Sequence, residues 1–370
     1  MKFITEKTNF LEALQKTQSV VERKNTVQIL SNVLLNLEKN NLSFSATDLE
    51  VGIKIFLNVK EENSGCITLS VKNLVELIKE MPEKKPIIFS LKENHWVEIL
   101  CQKSIFNLAG SSANEFPKLP EFEGVNYFEV NTVLLKEMLD LTSFVASTDE
   151  TRYHLNGVLI EQVQNGISRM VGTDGHRLAI MQGELLLNSN PLLKTGIVVP
   201  KKGLQELRKL LTNDSEKLLM AIDKGNLLIK VGNANLFIHL IDGNFPDYEQ
   251  VIPKENEKKF TIDREEFLSA LKRVSLLSNE KSRSIKLSLS NKSIIITASH
   301  LELGDAKEEL EVDYSYEALE IAFNARYLIE CLSVLDVKKV SFELGDKLTP
   351  SILRPVEKQD YTYVIMPIRI

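Results

Sequence analysis

Apolar residues along the chain follow two spacings, that of a helix and that of a strand, and the same succession of the two returns three times. The first copy opens with a strand-like stretch at Phe3 and continues into apolar residues at helical spacing, Phe10 and Leu14. The other two copies begin at Phe128 and Phe260. A succession of elements that returns along the chain is typical of repeated structural units. We therefore expect a threefold internal repeat in which each copy begins with a strand followed by a helix.

Two strands are predicted after each of these helices, because period-two alternation and β-branched residues follow each one. The first of the two is expected at 29–37, 155–160 and 285–289. The second is expected at 42–47, 169–173 and 293–298. Further strands close each copy.

A second helix is predicted in every copy, and a cation stands near its start. Related segments begin at Leu74, Leu204 and Leu328, and the residues two positions earlier are Lys72, Lys202 and Arg326. A lone cation of this kind is typical of a solvated helix face. Its recurrence at three equivalent positions equally fits a surface for an anionic partner.

Turn-rich segments divide the chain into three parts. Proline and aromatic residues mark a boundary at 116–120 and another at 245–248, which a polar run follows. A single core stops growing beyond roughly 250 residues, so a chain of 370 is expected to form several domains. We therefore predict an α+β fold of three similar domains, 1–120, 121–252 and 253–370, each with two helices and about eight strands in antiparallel sheets.

Similar domains joined head to tail repeat one interface, and such an interface either closes into a ring or propagates as a filament. A ring is the soluble outcome. Three domains of one chain or six domains of two chains would close it, and the periodicity does not choose between them.

Composition indicates a globular protein, with 43% hydrophobic and 26% charged residues. A net charge of −6 argues against a surface that binds nucleic acid everywhere, but it permits a local basic face. The charged start of the chain and the lack of a long apolar run predict a cytoplasmic protein without membrane contact. Three scattered cysteines, Cys66, Cys101 and Cys331, suit reduced thiols in that compartment.

The sequence lacks the motifs of several enzyme classes, including phosphate-binding glycine loops, a nucleophile elbow and zinc-binding HExxH. We therefore expect no cofactor and no metal. One unrepeated segment, TDGHRL at 173–178, fits either a tight turn or a catalytic pair of Asp174 and His176. The chain also ends in an apolar stretch, 363–370, which fits a final strand, a surface for a partner, or both.

Several distinctive blocks of sequence are spread over the whole chain: ATDLE at 46–50, TRYHLNGV at 151–158, TDGHRL at 173–178, FPDY at 245–248, LSNEK at 277–281, FNARY at 323–327 and MPIR at 366–369. In this order and at these spacings they resemble the bacterial DNA polymerase III β subunits, the β sliding clamps. The resemblance implies a non-catalytic processivity factor. In such a protein two three-domain chains pair head to tail as a homodimer, and the ring encircles duplex DNA without regard to sequence.

The resemblance also implies a hydrophobic cleft for short peptides of the polymerase III α subunit, the clamp loader and other proteins with clamp-binding motifs. On matching positions the cleft comprises Leu155, Thr173, Gly175, His176, Arg177, Leu178, Pro246, Val251, Asn324, Tyr327, Leu348, Val364, Met366, Pro367, Ile368 and Arg369. The implied DNA contacts are Lys24, Lys72, Arg152, Tyr153, Lys201 and Lys202. The chain departs from the family pattern at Ser282, beside the cleft, and at His154, beside the DNA.

Two other functions compete with this interpretation. A peptide-binding scaffold without a DNA role would leave the three recurring cations unexplained. A metal-independent hydrolase would use Asp174 and His176, although a hydrolase also needs a nucleophile and an oxyanion donor, and neither is evident nearby.

Overall fold

The computed structural model describes residues 1–21, 27–163, 166–186, 193, 195–212 and 217–369. Within these residues there are six α-helices and 25 strands, and every strand pair is antiparallel. The helices are α1 (Lys7–Gln18), α2 (Val71–Lys79), α3 (Thr132–Thr142), α4 (Lys201–Leu210), α5 (Arg264–Ser275) and α6 (Ala325–Val334).

The strands fall into three consecutive groups along the chain. The first group is β1 (Lys2–Glu6), β2 (Asn32–Glu38), β3 (Asn41–Thr47), β4 (Val51–Asn58), β5 (Lys60–Asn63), β6 (Gly65–Ser70), β7 (Pro86–Leu91), β8 (Trp96–Cys101) and β9 (Ser104–Ala109). The second is β10 (Phe128–Val130), β11 (Gly157–Gln162), β12 (Ser168–Thr173), β13 (Arg177–Gly183), β14 (Ile197–Pro200), β15 (Leu218–Asp223), β16 (Asn226–Val231) and β17 (Ala234–His239). The third is β18 (Lys258–Asp263), β19 (Ser284–Ser290), β20 (Ser293–His300), β21 (Gly304–Glu311), β22 (Leu319–Asn324), β23 (Lys339–Leu344), β24 (Ser351–Pro355) and β25 (Tyr361–Ile365).

One compact unit contains the described residues of 1–132 and 202–240. It has a five-stranded sheet, β5-β1-β7-β8-β9, and an eight-stranded sheet, β10-β15-β16-β17-β4-β3-β2-β6. Helices α1 and α2 pack on each other, and α1 lies against β3 and β4. Phe10 on α1 is fully buried and meets Phe44 of β3 edge to face, with ring centroids 5.3 Å apart.

A second unit contains the described residues of 133–185 and 241–370, with part of 190–201. Its eight-stranded sheet has the order β14-β11-β12-β13-β25-β24-β23-β18, and its four-stranded sheet is β21-β20-β19-β22. Helices α5 and α6 pack together, and α5 also lies against β20. The core of this unit contains the buried rings of Phe267 and Phe342.

Each eight-stranded sheet joins two four-stranded halves that come from consecutive thirds of the sequence. In the first unit β4 pairs with β17, from Ile55 opposite Ala234 to Val51 opposite Ile238. In the second unit β13 pairs with β25, beginning with Arg177 opposite Ile365. The two junctions use corresponding strands of the repeat.

The structure confirms the predicted strands but moves the start of two of them. Residues 28–31 form a turn of 3₁₀ helix before β2, and residues 150–155 form another 3₁₀ segment before β11. Periodicity alone does not distinguish a short helical turn from a strand. Strand β11 begins at Gly157, where a Cβ atom would lie 2.6 Å from the carbonyl oxygen of Val199, so a side chain at this position would clash with β14.

The apolar end of the chain is a final strand for only part of its length. Strand β25 ends at Ile365, and Pro367 has no N–H to continue the ladder. The N–H of Ile368 instead donates to the carbonyl oxygen of Ala322, 2.8 Å away. Met366, between them, is 40% exposed and therefore accessible to a partner.

Candidate functional site

The turn between β12 and β13 is held by its own side chains. The Asp174 carboxylate accepts the backbone N–H groups of His176 and Arg177 at 2.9 and 3.1 Å. The Thr173 hydroxyl accepts the N–H of Gly175 at 3.1 Å and donates to the Arg177 carbonyl at 2.7 Å. Gly175 has a φ of 86°, which glycine adopts readily. These contacts confirm the tight-turn interpretation of this segment.

The turn is repeated, contrary to the sequence-based expectation that it is unique. In the first unit the Thr47 hydroxyl donates to the Val51 carbonyl at 2.8 Å, and Asp48 accepts the N–H of Val51 at 2.7 Å. Leu49, with a φ of 80°, occupies the place of the glycine. The repeat was missed because leucine rarely adopts this conformation, which costs about 1–2 kcal/mol. The side chains of His176 and Arg177 distinguish the second copy.

Arg177 is a buried cation, with only 6% of its side chain exposed. Its Nε donates to Asp174 at 3.0 Å, and its Nη1 lies 2.6 Å from Glu330. The second contact is a close ion pair between the guanidinium and the carboxylate. The guanidinium carbon lies 4.4 Å from the ring centroid of Tyr327 and 5.5 Å from that of Phe144. Two carboxylates and two aromatic faces therefore fix this side chain.

The surrounding charges shift the pKa values in this cluster. Burial disfavours the charged form of Arg177, but Tyr363, Asp174 and Glu330 outweigh it and raise the pKa of the guanidinium. Burial also disfavours the Glu330 carboxylate, yet Arg326 and Arg177 hold its pKa below the usual range. Both groups are therefore charged at neutral pH.

A groove of about 140 Å³ opens beside this cluster, and it lies within the second unit. Its walls are mainly apolar. It is lined by Leu155, Thr173, Gly175, His176, Arg177, Leu178, Pro246, Asp247, Tyr248, Val251, Val364 and Met366. Ten of these residues belong to the cleft that the resemblance implies. Asp247 and Tyr248 do not, although the FPDY block that contains them was visible in the sequence.

A polar network holds one wall of the groove from behind. The Tyr248 hydroxyl donates to Glu161 at 2.5 Å and accepts from Arg169 at 2.6 Å. Arg169 also donates to Glu249 at 3.0 Å. Burial and the bond to Glu161 raise the pKa of Tyr248, so its hydroxyl stays protonated and can donate.

Tyr327 does not line the groove itself. Its ring stacks on that of His176, which does, with ring centroids 6.4 Å apart. Asn324 immediately precedes α6 and caps it, because its side chain accepts the N–H of Arg326 at 3.0 Å. Leu348 is 60% exposed in the turn between β23 and β24. The other implied residues that do not line the groove are Pro367, Ile368 and Arg369, which follow Met366 along the chain.

The implied DNA contacts divide into exposed and engaged side chains. Lys24 lies outside the described residues. Lys72 is 73% exposed on α2, and its ammonium lies 4.0 Å from Glu76. Arg152 is half exposed and donates to the Asp174 carbonyl at 3.4 Å, and the neighbouring Tyr153 is 51% exposed.

Lys201 and Lys202 use their ammonium groups inside the protein. Lys201 donates to the carbonyl oxygens of Phe144 and Ala146 at 3.2 and 2.8 Å. Burial, followed by repulsion from Arg177, lowers the pKa of Lys201. Lys202 makes an ion pair with the buried carboxylate of Asp48.

The described residues bring no three His, Cys, Asp or Glu side chains together as a metal site. None of the helices in the same part of the chain has the length and apolarity of a membrane span. The carboxylate of Asp174 is engaged by the turn and by Arg177, and the His176 ring stacks on Tyr327. Helices that repeat along the chain on antiparallel sheets, together with an apolar groove, fit the class of the DNA clamps.

Known proteins with the same organisation match the chain from end to end. Models of the N-terminal, central and C-terminal domains of the DNA polymerase III beta subunit match residues 1–120, 129–247 and 249–369. The beta sliding clamp of Caulobacter vibrioides is 37% identical, with all of both chains covered. Crystal structures of the subunit from Pseudomonas aeruginosa and of the Bartonella birtlesii sliding clamp bound to griselimycin give TM-scores of 0.94 and 0.95, at 34% and 33% identity over all of both chains.

The chain therefore belongs to the DNA polymerase III β subunit family, the β sliding clamps. It is a non-catalytic clamp of DNA replication with the three-domain clamp fold. The hydrolase hypothesis is wrong, and so is the hypothesis of a scaffold without a DNA role.

Proposed function

We propose that the groove of the second unit binds short peptides from the polymerase III α subunit, the clamp loader and other proteins with clamp-binding motifs. The observation that carries this proposal is the apolar groove between the β12–β13 turn, Val251 and Met366. Concave apolar sites with a few fixed polar groups suit small ligands and peptide anchors. Griselimycin, the ligand of the Bartonella birtlesii clamp, serves as a probe that we expect to bind here.

Apolar burial would supply most of the affinity. Each 100 Å² of apolar surface removed from water stabilises a complex by about 2.5 kcal/mol. The fixed wall adds to this by reducing the ordering needed on binding, since the Tyr248 hydroxyl and the Arg177 guanidinium are already held in place.

Calorimetric titration with griselimycin tests the groove. Val251→Ala and Met366→Ala remove partly exposed lining groups, so each should weaken binding roughly three- to tenfold while the protein stays folded. Val356→Ala is a matched control, because Val356 is 47% exposed, Val251 is 45% exposed and only Val251 lines the groove. Equal affinities for the Val251 and Val356 variants would sink the assignment. Leu348→Ala tests whether the groove extends to that turn.

We propose that DNA contacts are made by the exposed cations, which include Arg326 of the repeat, rather than equally by all the implied residues. Lys72 in the first unit and Arg152 in the second present accessible charge, Tyr153 follows Arg152 in the chain, and Lys24 stays a prediction. The pair between Lys72 and Glu76 is exposed and is worth about 0–1 kcal/mol, so a phosphate can replace the carboxylate. Weak contacts of this kind suit sliding, since phosphate contacts carry no sequence information. Lys201 and Lys202 act mainly within the protein.

The repeat indicates how a ring would close. At the two junctions within the chain, β4 pairs with β17 and β13 pairs with β25. The corresponding strands left over are β21 and β9, and each is an edge strand with one partner, β20 or β8. Ile105 on β9 is 58% exposed, and Leu276, which follows α5, is 76% exposed. We propose that β9 of one chain pairs with β21 of a second chain, twice, to form a homodimeric ring of six domains.

Light scattering with size exclusion tests this closure. The wild type should have twice the mass of the chain. Ile105→Glu places a charge on the edge strand and should yield monomers, while Val356→Glu, at a similarly exposed position outside both edges, should leave dimers. A dimeric Ile105→Glu variant would argue against pairing through β9.

We further propose domain boundaries at 120 and 252, with the cytoplasm as the compartment. The ranges of the three domain models support the boundary at 120, and the central and C-terminal models meet at 247–249, within a few residues of 252. The role of the β sliding clamps in bacterial DNA replication supports the cytoplasm as the compartment.

A further inference from the structure

A single carboxylate connects the groove wall to the recurring cation of the third copy. Glu330 on α6 lies 2.6 Å from Nη1 of Arg177, which lines the groove. The other oxygen of Glu330 accepts from Nε of Arg326 at 2.5 Å, and Arg326 stands where Lys72 and Lys202 stand in the other copies. Glu330 was not among the residues that sequence reasoning selected.

The two arginines differ in what else holds them. Arg326 is 56% exposed, so solvent or an anion can reach its guanidinium. Arg177 is buried, and Asp174 is its only other carboxylate partner among the described residues. The side chain of Glu330 is 29% exposed, so its attraction to both arginines is only partly screened.

The arrangement makes the two contacts competitive. Each arginine draws one oxygen of the same carboxylate. An anion that binds Arg326 therefore weakens the attraction of Arg326 to Glu330. Glu330 is then left to Arg177 alone, and the wall of the groove becomes more firmly held.

We propose that Glu330 is a positioning residue that couples Arg326 to Arg177, so that a DNA phosphate at Arg326 tightens the hold of the groove on its ligand. Coupling between two sites is reciprocal, so a ligand in the groove strengthens the affinity of Arg326 for the phosphate by the same factor. Exposed ion pairs are weak, which limits the effect to roughly two- to fivefold. The inference rests on the proposed groove and on the proposed DNA contacts of the recurring cations.

A double-mutant cycle on the full chain tests the coupling with griselimycin as the probe. Arg326→Ala, which removes the competitor, should strengthen binding roughly two- to fivefold. Glu330→Gln should weaken it. In the Glu330→Gln background, Arg326→Ala should have no effect, because the carboxylate through which it acts is gone.

A second exposed ion pair of the same unit provides the control. Lys286 lies 3.0 Å from Glu320, and neither lines the groove. Lys286→Ala and Glu320→Gln should leave the affinity for griselimycin unchanged. If Arg326→Ala weakens binding, or if its effect persists in the Glu330→Gln background, the proposal is overturned.

Hydrogen exchange of the Arg177 guanidinium, followed by NMR on the protein without ligand, separates this proposal from that of the groove. Exchange should slow in Arg326→Ala and accelerate in Glu330→Gln. Unchanged exchange in both variants would overturn the coupling even if griselimycin binds. Failure of griselimycin to bind the wild type, with the exchange changes as expected, would overturn the groove and leave the coupling intact.

A short DNA duplex tests the phosphate as the natural anion. Its addition should strengthen griselimycin binding to the wild type and leave the Arg326→Ala variant unaffected. An equal response of both proteins would show that the phosphate acts elsewhere and would overturn the part of the proposal that concerns DNA.

Discussion

The backbone N–H of Met366 donates to the carbonyl oxygen of His176, with 2.9 Å between nitrogen and oxygen. This bond fixes the end of the chain to the β12–β13 turn. Both residues line the groove, so two segments that lie far apart in the sequence form one wall. This geometry supports our proposal that the apolar tail has a binding role in addition to the packing of β25.

Deletion of residues 366–370 should separate these two roles. The deletion begins after β25, so the sheet should remain intact, and the melting temperature should change by less than about 4 °C. The groove loses Met366 and the bond to His176, so griselimycin should bind at least about tenfold more weakly, a loss of about 1.4 kcal/mol. Calorimetry and thermal unfolding measure the two effects. A truncated chain with wild-type affinity would contradict a binding role for the tail.

His176→Ala should weaken peptide binding and spare DNA loading. The substitution removes the ring that stacks on Tyr327. The ring also lines the groove, and the loss of about 40 Å² of apolar contact with a ligand would cost about 1 kcal/mol, which is roughly fivefold in Kd. Griselimycin titration and loading on nicked circular DNA measure the two properties. A parallel loss of loading would mean that this side chain also serves the DNA face.

Lys201 and Lys72 should show different defects although both were predicted to contact DNA. Lys201→Ala leaves the carbonyls of Phe144 and Ala146 without their donor and should destabilise the protein by about 1–3 kcal/mol. Lys72→Ala should change the free energy of unfolding by less than about 0.5 kcal/mol, but it should reduce the salt slope of duplex binding by about 1. Urea unfolding and binding across a salt series measure these values. The reverse pattern would contradict the assignment.

Glu330 should contribute stability in a defined pH range. Its folded-state pKa lies below the unfolded value of 4.5, so the folded form binds its proton later as pH falls. The contribution is therefore complete above that pH and is lost as pH falls through the folded pKa. Glu330→Gln should destabilise the protein by about 1.5–3 kcal/mol at pH 7, and the difference from wild type should shrink below pH 4.5. Urea titrations across this range measure it. A difference that stays constant into acid would contradict the ion-pair role.

Much of the architecture was predictable because periodicity is a local property of the sequence. The six helices, the order of the strands and the turn at Asp174 all follow from residue spacing. The pairing of β4 with β17 and of β13 with β25 did not follow, because strand partners far apart in sequence leave no local signal.

Residues of the candidate site were predictable where they belong to recognisable sequence blocks. Residues that hold the lining in place through contacts formed only on folding were not. The resemblance located His176 and Met366 in the groove. Glu330 and Arg169 escaped notice because their roles depend on partners that only the folded chain brings near. The chemistry of a lysine also gives no sign of whether its ammonium meets solvent or, as in Lys201, two carbonyls.

Loading on nicked circular DNA, followed by linearisation, tests the sliding clamp most directly. A closed ring is held by topology rather than by affinity, so the loaded protein should stay on the circle in high salt, where phosphate contacts fail. It should leave once the DNA is cut and an end becomes available. Equal retention on the circular and the linear DNA would contradict the account.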